Sequence, residues 1–181
     1  MDLIKGIQER RSIRKFKKQP ILRSVIEEII GAASFAPSWK NTQTARYIVV
    51  EDRKKIEALA TEACMAGFTF NINTIANASA VVLLTSVSGR SGYEKDGSFS
   101  TSKGNDWEMF DAGIAAQTFC LAAHEKGIGT VIMGYFDEKE IAKIIEIPKG
   151  QTISAVIPMG YPDIQPTVPV RKPASELVTF I

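Results

Sequence analysis

Two apolar runs constrain this chain's fold more than any other feature. Ser79–Val87 reads Ser-Ala-Val-Val-Leu-Leu-Thr-Ser-Val, and Thr152–Met159 reads Thr-Ile-Ser-Ala-Val-Ile-Pro-Met. Neither shows the strict polar alternation of a strand with one wet face. A strand of this kind has to be covered on both faces, so the rest of the chain must supply the covering layers.

The remaining patterns supply helices. Leu22–Ser34 repeats Val25, Ile26, Ile29, Ile30 and Ala33 at helical spacing, with Glu27 and Glu28 opposite. Asp2–Glu9 reads as a short helix with Leu3, Ile4 and Ile7 on one face, and Lys54–Ala66 also reads as helical. Asp106–Lys126 is the longest helix expected; its many alanines allow close packing in the core or at a subunit contact, and Gly127-Ile128-Gly129 ends it. Asp137 is the expected N-cap of a helix over Asp137–Ile145. Shorter strands are expected at Arg46–Glu51 and Thr130–Met133, and Gly160-Tyr161-Pro162 closes the last strand. The tail Pro166–Ile181 carries Pro166, Pro169 and Pro173 and reads as extended. With no internal repeat and no boundary signal, residues 1–181 are expected to form a single α+β domain with helices on a central sheet.

Composition narrows the function classes. A net charge of +2 leaves any nucleic-acid role resting on local clusters alone. No apolar run approaches the roughly 20 residues of a membrane helix, and Met1–Lys5 lacks a signal-peptide pattern. A cytoplasmic location with no membrane partner is therefore the expectation. Cys64 and Cys120 lack a CxxC spacing and read as buried free thiols. His124 is the only histidine and sits in a helical pattern, which argues against a histidine metal site or a Ser-His-Asp arrangement. If the chain is an enzyme, an organic cofactor should carry its chemistry.

Three segments bear site-like chemistry. Arg10-Arg11-Ser12-Ile13-Arg14 places three guanidiniums and a hydroxyl in five positions, a set suited to a terminal phosphate. Six of the nine residues Arg10–Lys18 are Lys or Arg, so a solvated basic face is the alternative. The loop Pro37-Ser38-Trp39-Lys40-Asn41-Thr42-Gln43 offers carboxamides that suit a ring edge with carbonyls beside an N–H. Ser88–Asn105, with four glycines, reads equally as a flexible linker or an active-site lid.

Taken together and in order, these motifs resemble the nitroreductase family of flavin mononucleotide (FMN) enzymes over nearly the whole chain. Arg10–Arg14 is similar to the family's phosphate signature, and Ala36-Pro37-Ser38…Asn41…Gln43 to its flavin-edge loop. Asp111-Ala112-Gly113…Ala116-Gln117 resembles its central helix, Gly127–Gly134 its next strand and turn, and Met159–Pro162 with Arg171-Lys172-Pro173 its closing strand and tail. The resemblance implies a dimeric α/β/α sandwich around a mixed, mainly antiparallel sheet. It implies that Arg10, Arg11, Ser12 and Arg14 hold the FMN phosphate, with Arg171 and Lys172 reaching in from the tail. Pro37, Ser38, Trp39, Lys40, Asn41 and Gln43 would line the flavin from the partner subunit. Asn71 would meet the pyrimidine edge, and the Met133 and Gly134 amides would address N5 and O4.

This chain departs from the family at Thr44-Ala45, where Pro-Trp is common, and at Thr74, where some members place a lysine near N1; Lys40 reads first as a solvent-facing lysine, with a cation that replaces it as the alternative. The implied activity is NAD(P)H-dependent reduction of a small-molecule acceptor in a homodimer. NADH or NADPH would be the donor, and the flavin, rather than a catalytic side chain, would carry the chemistry. A flavin-binding or sensing protein without turnover is the alternative, and a nucleic-acid module built on Arg10–Lys18 a distant third.

Overall fold

The computed structural model describes residues 2–181. Four strands form one sheet: β1 (Ala45–Val50), β2 (Ala80–Val87), β3 (Gly129–Thr130) and β4 (Gln151–Gly160), in the order β1-β2-β4-β3. Every ladder is antiparallel, and the parallel element is an isolated bridge between Ser12 and Thr130. The two apolar runs are the central strands, as their composition requires.

β2 shows why no polar alternation appears. Val81 and Leu83 enter one core, beside Ile56 and Leu59 of α3 (Arg53–Leu59), Ile75 of α4 (Thr69–Ala76) and Ile141 of α6 (Glu138–Ala142). Ala80, Val82 and Leu84 enter the other, beside Ile26 and Ile29 of α2 (Arg23–Ala33) and Ala116 and Phe119 of α5 (Asp106–Glu125). Successive side chains of a strand point to opposite faces, so two helical layers bury both sets. β4 does the same through a bulge: Leu84 pairs with Ala155 but Thr85 with Ile153, which skips Ser154. That extra residue puts Ile153 in the first core although Ala155 and Ile157 lie in the second.

Several boundaries differ from expectation. The helix over Lys54–Ala66 stops at Leu59, and turns carry the chain to Gly67. α4 was not expected from the sequence. It has no side-chain N-cap, and its amphipathic pattern is too weak to announce a helix. The strand expected at Thr130–Met133 is reduced to Gly129–Thr130 plus a Met133–Val156 bridge. α6 covers the first part of its expected span, with Asp137 as N-cap accepting from the Lys139 and Glu140 amides.

Asp2 caps α1 (Leu3–Glu9), but the helix's apolar residues stay largely open to solvent: Leu3 is 70% exposed, and Ile4 and Ile7 are also exposed. The tail is extended apart from a single turn at Ala174–Glu176, and it presents Val168, Val170, Leu177 and Phe180 to solvent. No helix among the described residues is long and apolar enough to cross a membrane.

Candidate functional site

The basic segment is strapped across the ends of two strands. Ser12 bridges Thr130, the Ile13 amide donates to Thr130 O at 2.9 Å, and the Lys17 amide donates to Tyr161 O at 2.8 Å. Two glycines permit this close approach. A Cβ on Gly129 would lie 2.7 Å from Ile13 Cβ, and one on Gly160 would lie 2.8 Å from Phe16 Cβ. Buried Ile13 and Phe16 pin the strap, and the polar residues between them project outward.

This placement divides the expected phosphate cluster. Arg10 and Arg11 line a groove of about 800 Å³ with Lys17, His124 and the tail residues Pro162–Pro166. Arg11 Nη1 donates to the carbonyls of Gln8 and Arg10, while Nε of Arg10 and Nε of Arg11 are buried without a partner. Ser12 and Arg14 are not among the groove's walls. Arg14 instead lies over the ring of Phe70 in α4, 5.6 Å from its centroid.

α4 and the turn after β3 form the next part of the site. Asn71 is buried and donates Nδ2 to Tyr135 O at 3.2 Å, leaving its Oδ1 without a hydrogen bond. The Met133 amide donates to Val156 O at 2.9 Å, so it has no free N–H to offer a ring. This corrects the expected role of that amide; the exposed Gly134 N–H makes no bond among the described residues and is the available donor. Beside them Phe68, Phe70 and Tyr135 form an exposed aromatic wall, with centroids 6.3 Å apart for Phe68–Phe70 and 5.6 Å for Phe68–Tyr135. The sequence reading missed this wall; the phenylalanine pair flanking Thr69, next to Asn71, was the available signal. Thr74 is buried and its hydroxyl donates to Phe70 O, a helix-internal bond.

The loop Pro37–Gln43 stands apart: no hydrogen bond, ion pair or ring contact joins it to Arg10–Arg14, Asn71 or Gly134 among the described residues. Lys40, Asn41 and Gln43 all have positive φ, a strained choice for residues with a Cβ. Other groups hold this shape. The Trp39 amide donates to both carboxylate oxygens of Asp111, at 3.1 and 2.9 Å, and the Gln43 amide donates to Ser38 Oγ at 2.9 Å. Trp39 packs its ring 4.4 Å from Trp107, and its Nε1, like Thr42 Oγ1, is buried without a partner. Pro37, Lys40, Asn41 and Gln43 are exposed around this core.

Ser88–Asn105 packs onto that loop and is not a free linker. Ser91 Oγ donates to Asp111, Trp107 Nε1 donates to Thr101 Oγ1 at 2.9 Å, and Tyr93 and Phe99 pack 5.0 Å apart. Gly92, at φ +86°, has room only for hydrogen: a Cβ would lie 2.3 Å from Gly104 O. Lys40 is exposed and pairs with Glu94 of the Ser88–Asn105 segment at 2.8 Å. The pairing holds the Glu94 carboxyl below its ordinary value. Arg171 and Lys172 are exposed in the tail, where Lys172 approaches Glu176, and neither reaches Arg10 within the chain.

The comparisons with known proteins converge. The model of the nitroreductase family matches residues 7–161. A protein of Archaeoglobus fulgidus that carries the provisional name NADH dehydrogenase/NAD(P)H nitroreductase is 31% identical over 165 residues, covering 89% of this chain and 86% of its own. A crystal structure of a nitroreductase family protein from Clostridium novyi NT is 29% identical, covers 90% of this chain and 86% of its own, and superposes with a TM-score of 0.77. Oxidised iodotyrosine deiodinase bound to FMN and 3-iodo-L-tyrosine shares the fold at a TM-score of 0.78, with 21% identity over 94% of this chain and 95% of its own.

Proposed function

Because the chain belongs to the nitroreductase family, we propose that it is an FMN-dependent NAD(P)H oxidoreductase that reduces nitroaromatics, quinones or similar small acceptors as a homodimer. The observation that carries this reading is a set of polar groups, on the strap and at α4 with the turn after β3, that have no partner among the described residues. Arg10 Nε and Arg11 Nε are buried and unpartnered, Asn71 Oδ1 accepts nothing, and the Gly134 amide is undonated. Buried polar groups are nearly always hydrogen-bonded, so the two guanidinium nitrogens left unpartnered fit an anionic ligand, while Asn71 Oδ1 and the exposed Gly134 amide stand free to bond a ring edge. Their kinds suit this one: cations and a serine for a phosphate monoester, a carboxamide oxygen for a ring N–H, and an amide for a ring acceptor.

Arg10, Ser12 and Arg14 would hold the phosphate, with Arg11 beside them, and Asn71 and Gly134 would hold the ring edge. When bound, FMN supplies a two-electron carrier that accepts hydride from a nicotinamide and delivers electrons to the acceptor. The protein's own contribution is positioning and charge. Asn71 is fixed by its bond to Tyr135 O, so its oxygen is pre-aimed, and the Arg14 guanidinium offers positive charge at the mouth. Phe68, Phe70 and Tyr135 form an apolar wall against which a flat aromatic substrate can stack. One cleft serving both substrates in turn implies ping-pong kinetics.

The homodimer is supported by what one chain leaves uncovered. The Leu3, Ile4 and Ile7 face and the apolar tail are too exposed for a chain that works alone. No hydrogen bond, ion pair or ring contact joins the loop Pro37–Gln43 to the strap among the described residues; in a dimer it would face the partner's flavin, and Arg171 and Lys172 would swing onto a phosphate.

The test is chemical. FMN released from purified protein, bleaching of its absorption by NADH or NADPH without oxygen, and parallel double-reciprocal plots over several acceptor concentrations are expected. FAD, or no flavin even after reconstitution, would remove the cofactor assignment. Flavin that neither nucleotide reduces would leave a binding protein without turnover, and intersecting plots would mean that both substrates bind together.

A further inference from the structure

Asp111 has a position that the proposed chemistry does not require. It lies in the second turn of α5, is 4% exposed, and pairs with no lysine or arginine among the described residues. Its carboxylate instead collects donors from two separate segments. Both oxygens accept from the Trp39 amide, and Oδ2 also accepts from Ser91 Oγ. Ser91 is itself wholly buried, so its hydroxyl has no solvent alternative. A buried carboxylate without a cation is costly unless its hydrogen bonds are fixed in place. Here those bonds hold a loop with three positive-φ residues on one side and the lid segment on the other.

We propose that Asp111 is a positioning residue that couples the Ser88–Asn105 segment to the Pro37–Gln43 loop, so that the two order and loosen as one unit. Resting on the oxidoreductase reading above, this makes lid closure over an acceptor and the pose of the flavin-edge loop a single event. Ser91 and Trp39 make no bond to one another; the carboxylate is the group that hydrogen-bonds to both, and Trp107 touches both more loosely, its carbonyl 3.3 Å from Ser91 Oγ and its ring against Trp39. The Lys40–Glu94 pair and the Trp39–Trp107 contact run alongside it nearer the surface. Coupling of this kind has a signature that local support lacks: removing a group on one segment must loosen the other.

The experiment is limited tryptic cleavage of the protein as purified, comparing wild type with Ser91→Ala, Asp111→Asn and the double variant. Lys40 reports on the flavin-edge loop; Arg90, Lys95 and Lys103 report on the lid segment. Ser91→Ala is expected to raise cleavage at Lys40 together with the lid sites, by roughly three- to tenfold, although Ser91 has no bond to that loop. Asp111→Asn should do the same, and the double variant should add little. Coupling is overturned if Ser91→Ala opens the lid sites and leaves Lys40 at its wild-type rate, or if the two substitutions multiply independently. If Asp111→Asn fails to fold, the Lys40 rate in Ser91→Ala decides alone. A wild-type protein that holds no flavin would defeat the proposed function but leave this test intact, because the cleavage rates need no cofactor.

Discussion

Lys40 Nζ lies 2.8 Å from Glu94 Oε1, and this pair clasps the Pro37–Gln43 loop to the Ser88–Asn105 segment at the surface. The bond to Lys40 is the main reason the Glu94 carboxyl is held below its ordinary value. A folded pKa below the unfolded one means that the clasp contributes fully above the unfolded carboxylate range and is lost as pH falls through the lowered value. Tryptophan fluorescence from the Trp39–Trp107 pair should therefore show an acid transition below the ordinary glutamate range. Glu94→Gln should abolish it; an unchanged midpoint in that variant would assign the transition elsewhere.

Arg14 and Lys18 are both exposed cations of one basic stretch, but Arg14 lies over Phe70 beside the proposed ring site. Arg14→Ala should weaken FMN binding by about 1.5–3 kcal/mol, the range for a charge-assisted hydrogen bond, while Lys18→Ala should change it little. Fluorescence titration of apoprotein with FMN measures both. Equal losses would favour a diffuse basic face over a built phosphate site.

Gly129 has no room for a methyl group, because Ile13 Cβ and Cγ1 both lie 2.7 Å from where a Cβ would stand. Gly129→Ala should push the strap off the sheet and destabilise the fold by about 1–3 kcal/mol, as overpacking typically does. FMN affinity should fall with it, since Arg10, Ser12 and Arg14 ride on that strap. Gly113→Ala, on a part of α5 with open space, is the control. Urea titration that places both variants at the wild-type midpoint would contradict the close contact.

Tyr47 stacks on Phe119 with its hydroxyl buried and unpartnered, and burial pushes its pKa up to about 12. A raised folded pKa contributes stability that is fully present below the unfolded value and is lost as pH rises through the folded one. Stability should therefore decline between about pH 10 and pH 12. Denaturant midpoints across that range should fall less steeply for Tyr47→Phe than for wild type. Identical slopes would mean that other groups govern the alkaline limit.

Much of the layered fold was legible because hydrophobic periodicity is a local record of burial. Val81–Leu84, β-branched and apolar without polar alternation, read as a strand covered on both faces, and the spacing from Val25 to Ala33 read as a helix with one buried face. α4 was not legible in this way: it lacks a cap and a clear stripe, and its place is set by packing of Ile75 against the sheet. The strap was visible as composition, but not its division into Arg10 and Arg11 on one groove and Arg14 over Phe70.

By itself, the sequence determined the residue types available to the site, the order of its motifs and the two buried strands, since each depends on neighbours a few positions apart. Tertiary structure alone decided which groups meet. Met133 was expected to offer an amide, and pairing with Val156 removes it. Lys40 read as a solvent-facing lysine or a cation for a ring, and folding brings it Glu94 from 54 positions away. Asp111 read as one residue of a helix motif, and only folding brings it Trp39 from 72 positions before and Ser91 from 20. Hydrogen bonds are directional and short-ranged, so the partner a polar group finds depends on how layers stack, which no local pattern records.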